Sequence, residues 1–154
     1  MITLTEAQLM AWISPIIWPF LRVLAVFTAA PIFSSKAFPV RARIALAFFI
    51  AIAAGPSLEG QAVISVGGPD ALGAVVQQVG VGLSIGFAVR VIFAAVELAG
   101  EVVGFQMGLG FASFFNPALN NQSSAVGRFF GHMAAFLFVV LNGHLMLLMA
   151  VIKS

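Results

Sequence analysis

The sequence predicts an all-α membrane protein of about four hydrophobic helices, with a broken, re-entrant segment between the third and the fourth. Three observations predict it. Of 154 residues, 62% are hydrophobic and only 8% charged, against about a quarter charged in a soluble domain. Seven basic and five acidic side chains cannot furnish a water-facing surface, and the mean hydropathy is +1.13. A bilayer, or an assembly that substitutes for one, must cover the rest. The apolar residues also fall into stretches of helical length, and an Asn-Pro pair opens an uncharged polar run between the last two. The length suits one domain, residues 1–154.

The first stretch covers residues 9–33, with Arg22 its only charge. Thr3 and Glu6 form a Thr-x-x-Glu capping box ahead of it. The opening residues lack the positive charge that begins a signal peptide, so the segment is expected to be retained. Pro15 and Pro19 predict a kinked helix whose freed carbonyls need neighbours. Trp12 and Trp18 are placed at an interfacial end. The second stretch, 44–58, reaches only ~22 Å, short of the ~30 Å hydrocarbon thickness. It ends at the breaker Gly55-Pro56. Either Arg41 and Arg43 snorkel at its start, or it does not cross a full bilayer.

The third stretch, 71–99, carries Arg90 and Glu97 in its C-terminal half. The last, 129–152, is interrupted only by His132, Asn142 and His144 and is flanked by Arg128 and Lys153. The connection 34–43 holds Lys36, Arg41 and Arg43, whereas 59–70 holds Glu59 and Asp70 and no base. The positive-inside rule then puts the first connection in the cytoplasm, with the N-terminus and second connection outside.

Residues 100–127 form the most unusual segment. Gly100, Gly104 and Gly108 recur every four residues, a small-xxx-small ridge for close helix contact. Gly82 and Gly86 are read as packing glycines for the same reason. Phe111, Phe114 and Phe115 follow at i, i+3 and i+4, then Asn116-Pro117 and the polar run Asn120, Asn121, Gln122, Ser123, Ser124. A helix that breaks into uncharged polar loop predicts a re-entrant or pore-lining element, because such backbone survives at membrane depth only against protein or water. The phenylalanines are either core or the lining of a constriction that excludes water.

The buried charges allow two readings. Arg90 and Glu97 share a helix face, and Glu97 and Glu101 are neighbours four apart. Exposure to hydrocarbon costs each at least ~2.5 kcal/mol, so they serve an ion or proton relay or pair structurally with neighbours. Arg22 either binds an anion or pairs with Glu97 or a partner's acid.

Nothing points to an enzyme. There is no cysteine, which removes thiolate and Cys-metal chemistry. His132 and His144 stand more than three helical turns apart and have no HExxH context, so no metal or other cofactor is expected. Ser113, Ser123 and Ser124 lack a His-acid arrangement and a Gly-x-Ser-x-Gly turn. Gly80-Val-Gly-Leu-Ser lacks the Gly-Lys-Ser/Thr of a phosphate loop. The seven basic residues show no aromatic interleaving, so no nucleic acid is expected as a partner.

Three stretches resemble the FliR family, a subunit of the flagellar type III export gate. Residues 13–39 carry Arg22-Val-Leu and Ala30-Pro-Ile-Phe-Ser-Ser-Lys-Ala-Phe-Pro, similar to the family's opening. Residues 100–117, with Gln106-Met-Gly and Phe114-Phe-Asn-Pro in register, resemble its central signature. Residues 138–145, with Leu141-Asn-Gly-His-Leu, resemble the segment after it. The resemblance implies a multi-pass protein of the bacterial inner membrane and flagellar basal body. It would form a protein-conducting channel with FliP and FliQ, contacted by FlhB, that passes unfolded flagellar export substrates. It also implies a helical assembly partly lifted out of the bilayer, with lipid covering the remainder. Carried onto this sequence, the channel plug would comprise Met107, Phe111, Phe114, Phe115, Asn116 and Pro117, with Asn120, Asn121 and Gln122 beyond. Family chains continue with further hydrophobic helices, so the resemblance makes this the N-terminal part of a longer chain type. Two rivals stand beside it: an injectisome homologue of the same subunit, and a small secondary transporter using Arg90, Glu97 and Glu101 as a relay.

Overall fold

A computed structural model of the chain describes residues 6–35, 38–55, 68, 70–109 and 124–154, with side chains from Trp12 onward. Among these residues the regular elements are all helices. Helix α1 covers Glu6–Ala29, α2 Val40–Ala54, α3 Ala71–Gln106, α4 Ala125–Val140 and α5 Gly143–Lys153. By length and composition, Trp12–Ala29 and Ala71–Gln106 can cross a membrane, and α4 with α5 adds a third span if the bent pair counts as one.

The boundaries differ from the sequence expectation for physical reasons. α1 stops at Ala29 rather than near residue 33, because Pro31 disfavours helical backbone in the residue before it. Its prolines 15 and 19 lie inside the helix. Thr3 of the expected capping box lies outside the described residues. α2 keeps the expected fifteen residues but starts four earlier, after Pro39 in extended backbone with φ −64° and ψ 142°. Arg41 and Arg43 therefore belong to its first turn, not to the preceding connection. Arginine ends a hydropathy run but is a good helix former. α3 runs on to Gln106, past the expected end near residue 99, so Gly100, Glu101 and Gly104 continue the third helix. At 36 residues it is ~54 Å long at 1.5 Å per residue, well beyond one hydrocarbon thickness.

The fourth apolar stretch is two helices, giving five among the described residues where about four were expected. They meet at a 68° bend centred on Asn142, whose φ is 55°. The Leu141 and Asn142 amides close onto the Leu137 and Val139 carbonyls at 2.9 and 3.0 Å, and the Asn142 carbonyl accepts from Leu145 and Met146 at 2.9 and 3.1 Å. One left-handed residue thus ends α4 and starts α5.

Contacts group the chain into two compact units. The first comprises α1, α2, α3 as far as Phe87 and α5 from Leu147. Its core is Trp18, Val23, Val26, Phe27 and Ala30 of α1, Ala47, Ala51 and Ala54 of α2, Ala74 of α3, and Leu147 and Val151 of α5. The α2 alanines recur at i, i+4 and i+7, one helix face. Phe48, Phe49 and Ile52 are exposed on the remainder, as expected of a helix apolar all round. Trp12 is 75% exposed but Trp18 only 8%, so Trp18 is a core residue and not an interfacial anchor.

The second unit comprises α3 from Ala88, α4 and α5 as far as Met146. α4 begins at an N-cap, where the Ser124 hydroxyl accepts from the Gly127 amide at 2.9 Å. Ser124→Ala is expected to cost about 1 kcal/mol of stability, while Ser124→Asp retains it. Thermal unfolding of the detergent-solubilised chain measures both.

Candidate functional site

Small residues create the helix contacts on which the polar groups rest. On α3, a methyl group added at Gly82 would lie 2.5 Å from the Arg22 carbonyl oxygen and 2.7 Å from the Ala25 methyl. One added at Gly86 would lie 2.6 Å from the Ala29 methyl and 3.0 Å from the Val26 carbonyl. Contacts advance together along both chains, so α1 and α3 run parallel here. Helices come this close only where one presents no Cβ.

That approach sets the environment of Arg22. Its Nε donates to Gln78 Oε1 at 2.6 Å, and its Nη1 donates to the Val151 carbonyl and the Ser154 hydroxyl, both at 3.2 Å. Its acceptors are a neutral amide, a backbone carbonyl and a hydroxyl. Gln78 was not singled out in the sequence, although Gln77-Gln78 is the only strongly polar pair in the charge-free part of the third stretch.

In the second unit the glycines interlock reciprocally. A methyl at Gly100 would meet the Phe130 Cβ at 2.8 Å, and one at Gly104 the Ser124 hydroxyl at 3.3 Å. From the other side, one at Gly127 would meet the Glu101 Cγ at 2.7 Å, and one at Gly131 the Glu97 carboxyl carbon at 3.9 Å. The contacts run in opposite directions along the two helices, so α3 and α4 are antiparallel. Phe93 and Phe138 close the contact, with ring centroids 5.6 Å apart. Both glutamates therefore lay their stems over notches in α4, which puts a half-buried carboxylate where a helix-facing residue would otherwise sit. Arg90 is exposed, and among the described residues no ion pair joins it to Glu97 or Glu101. Gly127, Gly131 and Phe130 complete this contact; the signal that could have found them is the Gly-x-x-x-Gly spacing of 127 and 131.

Gly108 is not part of the ridge. It follows α3 with φ 75°, and an added methyl would meet nothing within 4 Å. Its requirement is backbone conformation, not packing. Met107 sits in the same turn, 66% exposed. The other plug candidates, Phe111, Phe114, Phe115, Asn116, Pro117, Asn120, Asn121 and Gln122, lie outside the described residues. His132 is exposed, with Nδ1 2.6 Å from the Arg128 carbonyl four residues back. Among the described residues no group of three His or acidic side chains gathers to hold a metal ion.

These features define a class: an apolar helical membrane protein whose helices lock through glycine notches and whose Arg22, Glu97 and Glu101 are turned onto neighbouring helices. The sequence pattern of "Bacterial export proteins, family 1" matches residues 13–154. The flagellar biosynthetic protein FliR of Escherichia coli K12 is 40% identical over 154 residues, all of this chain and 59% of that protein. FliR of Pectobacterium carotovorum is 36% identical over 147 residues, 94% of this chain and 55% of that protein. The Yop proteins translocation protein T of Yersinia pestis is 29% identical over 134 residues, 86% and 51% of the respective chains. The chain belongs to this family of bacterial export proteins, and it spans between about half and three-fifths of the length of these relatives.

Proposed function

We propose that the chain is a structural, non-catalytic subunit of a flagellar type III protein-export gate, contributing to a protein-conducting channel and its plug in the bacterial inner membrane. The observation that carries this reading is the 40% identity to a flagellar FliR across all 154 residues, with the relative named for Yop translocation more distant at 29%. The flagellar branch is favoured over the injectisome branch on that difference.

The chemistry of such a subunit is mechanical. α3 is long enough to cross the hydrocarbon and continue beyond it. Its first nineteen residues, 71–89, carry no charge before Arg90. A span placed on them leaves Glu97 and Glu101 past its end, seated on α4, where they need no relay partner. Exposed Val91, Ile92, Leu98, Val102 and Phe105 then face lipid or companion subunits, for which FliP, FliQ and FlhB are the proposed partners. The segment after Gly108 would supply apolar and small polar groups that close the conduit to ions and yield to unfolded substrates.

Replacing Phe114 and Phe115 together with alanine is expected to raise the ion conductance of membranes containing the assembled gate several-fold. Conductance at the wild-type level in a double variant that still assembles would overturn the plug assignment. Copurification with FliP and FliQ tests subunit membership separately. A chain that never associates with them would overturn the gate reading as a whole.

A further inference from the structure

We propose that Arg43, assisted by Arg41, binds the headgroup of an anionic phospholipid whose acyl chains lie along the outer face of α2. The proposal goes beyond the export-gate reading and does not depend on it.

Charge balance along the chain comes first. Residues 7–58 carry four bases, Arg22, Lys36, Arg41 and Arg43, and no acid. A guanidinium packed among apolar helices needs acceptors for its donors, and this stretch offers only neutral ones. Arg22 is supplied by Gln78 of α3. Arg43 is not supplied: its Nε is buried and has no hydrogen-bond partner among the described residues. A buried donor on a cation is costly to leave unpaired, so the position calls for an anion that arrives from outside α1 and α2.

Helix geometry accounts for the enclosure. Arg43 precedes Ala47, Ala51 and Ala54, the buried residues of α2, by four, eight and eleven positions, so it shares their face. Aromatic rings hold that face against α1. Phe48 meets Phe20 edge-on at 6.4 Å, and Phe33 of the connection meets Phe27 at 4.4 Å and Phe38 at 6.2 Å. Arg43 is therefore fixed, half-buried, at the end of a packed seam, while Arg41 is exposed. The two lie on different sides of α2, but Cα–Cβ bonds in a helix tilt towards its N-terminus. Both side chains thus lean to the same end of the helix, where long basic side chains reach the headgroup level.

The outer face of α2 selects the kind of anion. Ile44, Phe48 and Ile52 recur every four residues and are exposed, with Phe49 beside them. This stripe begins at the arginines and runs the length of the helix, ~22 Å, more than half of a ~30 Å hydrocarbon core. A phospholipid has the same order, charge first and then hydrocarbon, and its anionic headgroup is attracted to basic residues at the membrane surface. A free phosphate would answer the charge and leave the stripe bare.

The test is lipid binding to the full chain in detergent, using phosphatidylglycerol and phosphatidylcholine with the same acyl chains and native mass spectrometry as readout. Wild type is expected to bind phosphatidylglycerol about tenfold more tightly, the worth of one charge-assisted hydrogen bond. Arg43→Gln should abolish this preference and Arg41→Gln should reduce it. Arg43→Lys should keep only part of it, because an ammonium is a point charge without the planar fork that matches phosphate; it also retains the charge and stem should Arg43→Gln fail to fold. Phe49→Asn should weaken both lipids alike. Arg128→Gln, at an exposed base of α4, should leave the preference intact. Equal binding of the two lipids by wild type would overturn the proposal, as would an undiminished preference in both Arg43 variants. A loss in Arg128→Gln as large as in Arg43→Gln would overturn it by showing diffuse attraction. Equal binding of the lipids, with copurified FliP or FliQ lost in Arg43→Gln, would overturn it in favour of an acidic side chain on a companion.

Discussion

Gly82→Val is expected to destabilise the first unit by about 3 kcal/mol, the upper end of the range for overpacking. The clash is with the Arg22 carbonyl oxygen, 2.5 Å from the new Cβ, and with the Ala25 methyl at 2.7 Å. Neither can rotate away, because one is backbone and the other is the first atom of its side chain. The helices must separate, and separation breaks the Arg22–Gln78 bond. Between apolar helices in lipid there is little water to expel, so van der Waals contact and hydrogen bonds supply the attraction. Both are lost together. Gly86→Val should behave similarly, since its methyl would meet Ala29 at 2.6 Å. Gly80 is the control: it lies on the same helix with nothing within 4 Å. Gly80→Ala is expected to hold stability or raise it by up to about 1 kcal/mol through helix propensity. Denaturant titration in detergent micelles measures all three. If Gly82→Val unfolds at the same midpoint as the wild type, the close α1–α3 approach is wrong.

The second large effect is expected at Asn142. Left-handed backbone costs an ordinary residue about 1–2 kcal/mol, and asparagine is among the few that tolerate it. A β-branched side chain is the least compatible with φ 55°. Asn142→Gly should leave stability near the wild-type value, Asn142→Ala should lower it by about 1 kcal/mol, and Asn142→Val by about 2 kcal/mol. The ordering matters more than the sizes, because it separates a conformational requirement from a side-chain contact. Were Asn142 needed for hydrogen bonds from its side-chain amide, glycine would be as damaging as valine. A valine variant of unchanged or raised stability would mean that the bend between α4 and α5 is not held by this residue.

Much of the fold was legible in the residues, and the reason is the solvent. A bilayer demands long apolar helices with internally satisfied backbone, so hydropathy alone reported the class and the start of α3 at Ala71, while the Gly55-Pro56 breaker marked the end of α2. Family membership was legible as well, because Gln106-Met-Gly and Phe114-Phe-Asn-Pro stand in a register that apolar composition does not produce. Where hydropathy misled, the cause was consistent. Charge ends an apolar run but does not end a helix, which misplaced the start of α2 at Arg41 and Arg43 and cut α3 short before Glu101. A single left-handed residue ends a helix without any drop in hydropathy, which hid the division at Asn142.

The sequence by itself determined what kind of surface this protein must have, which segments are helical and which family it belongs to. All three follow from local composition and from residues in fixed order. Only the tertiary structure decided what the half-buried polar groups do: Arg22 meets Gln78 and the Val151 carbonyl of α5, and Glu97 and Glu101 lie against Gly131 and Gly127. Those pairings depend on which helix faces come together and in which direction. Glycine permits a contact but does not name its partner, so spacing along one chain cannot supply it.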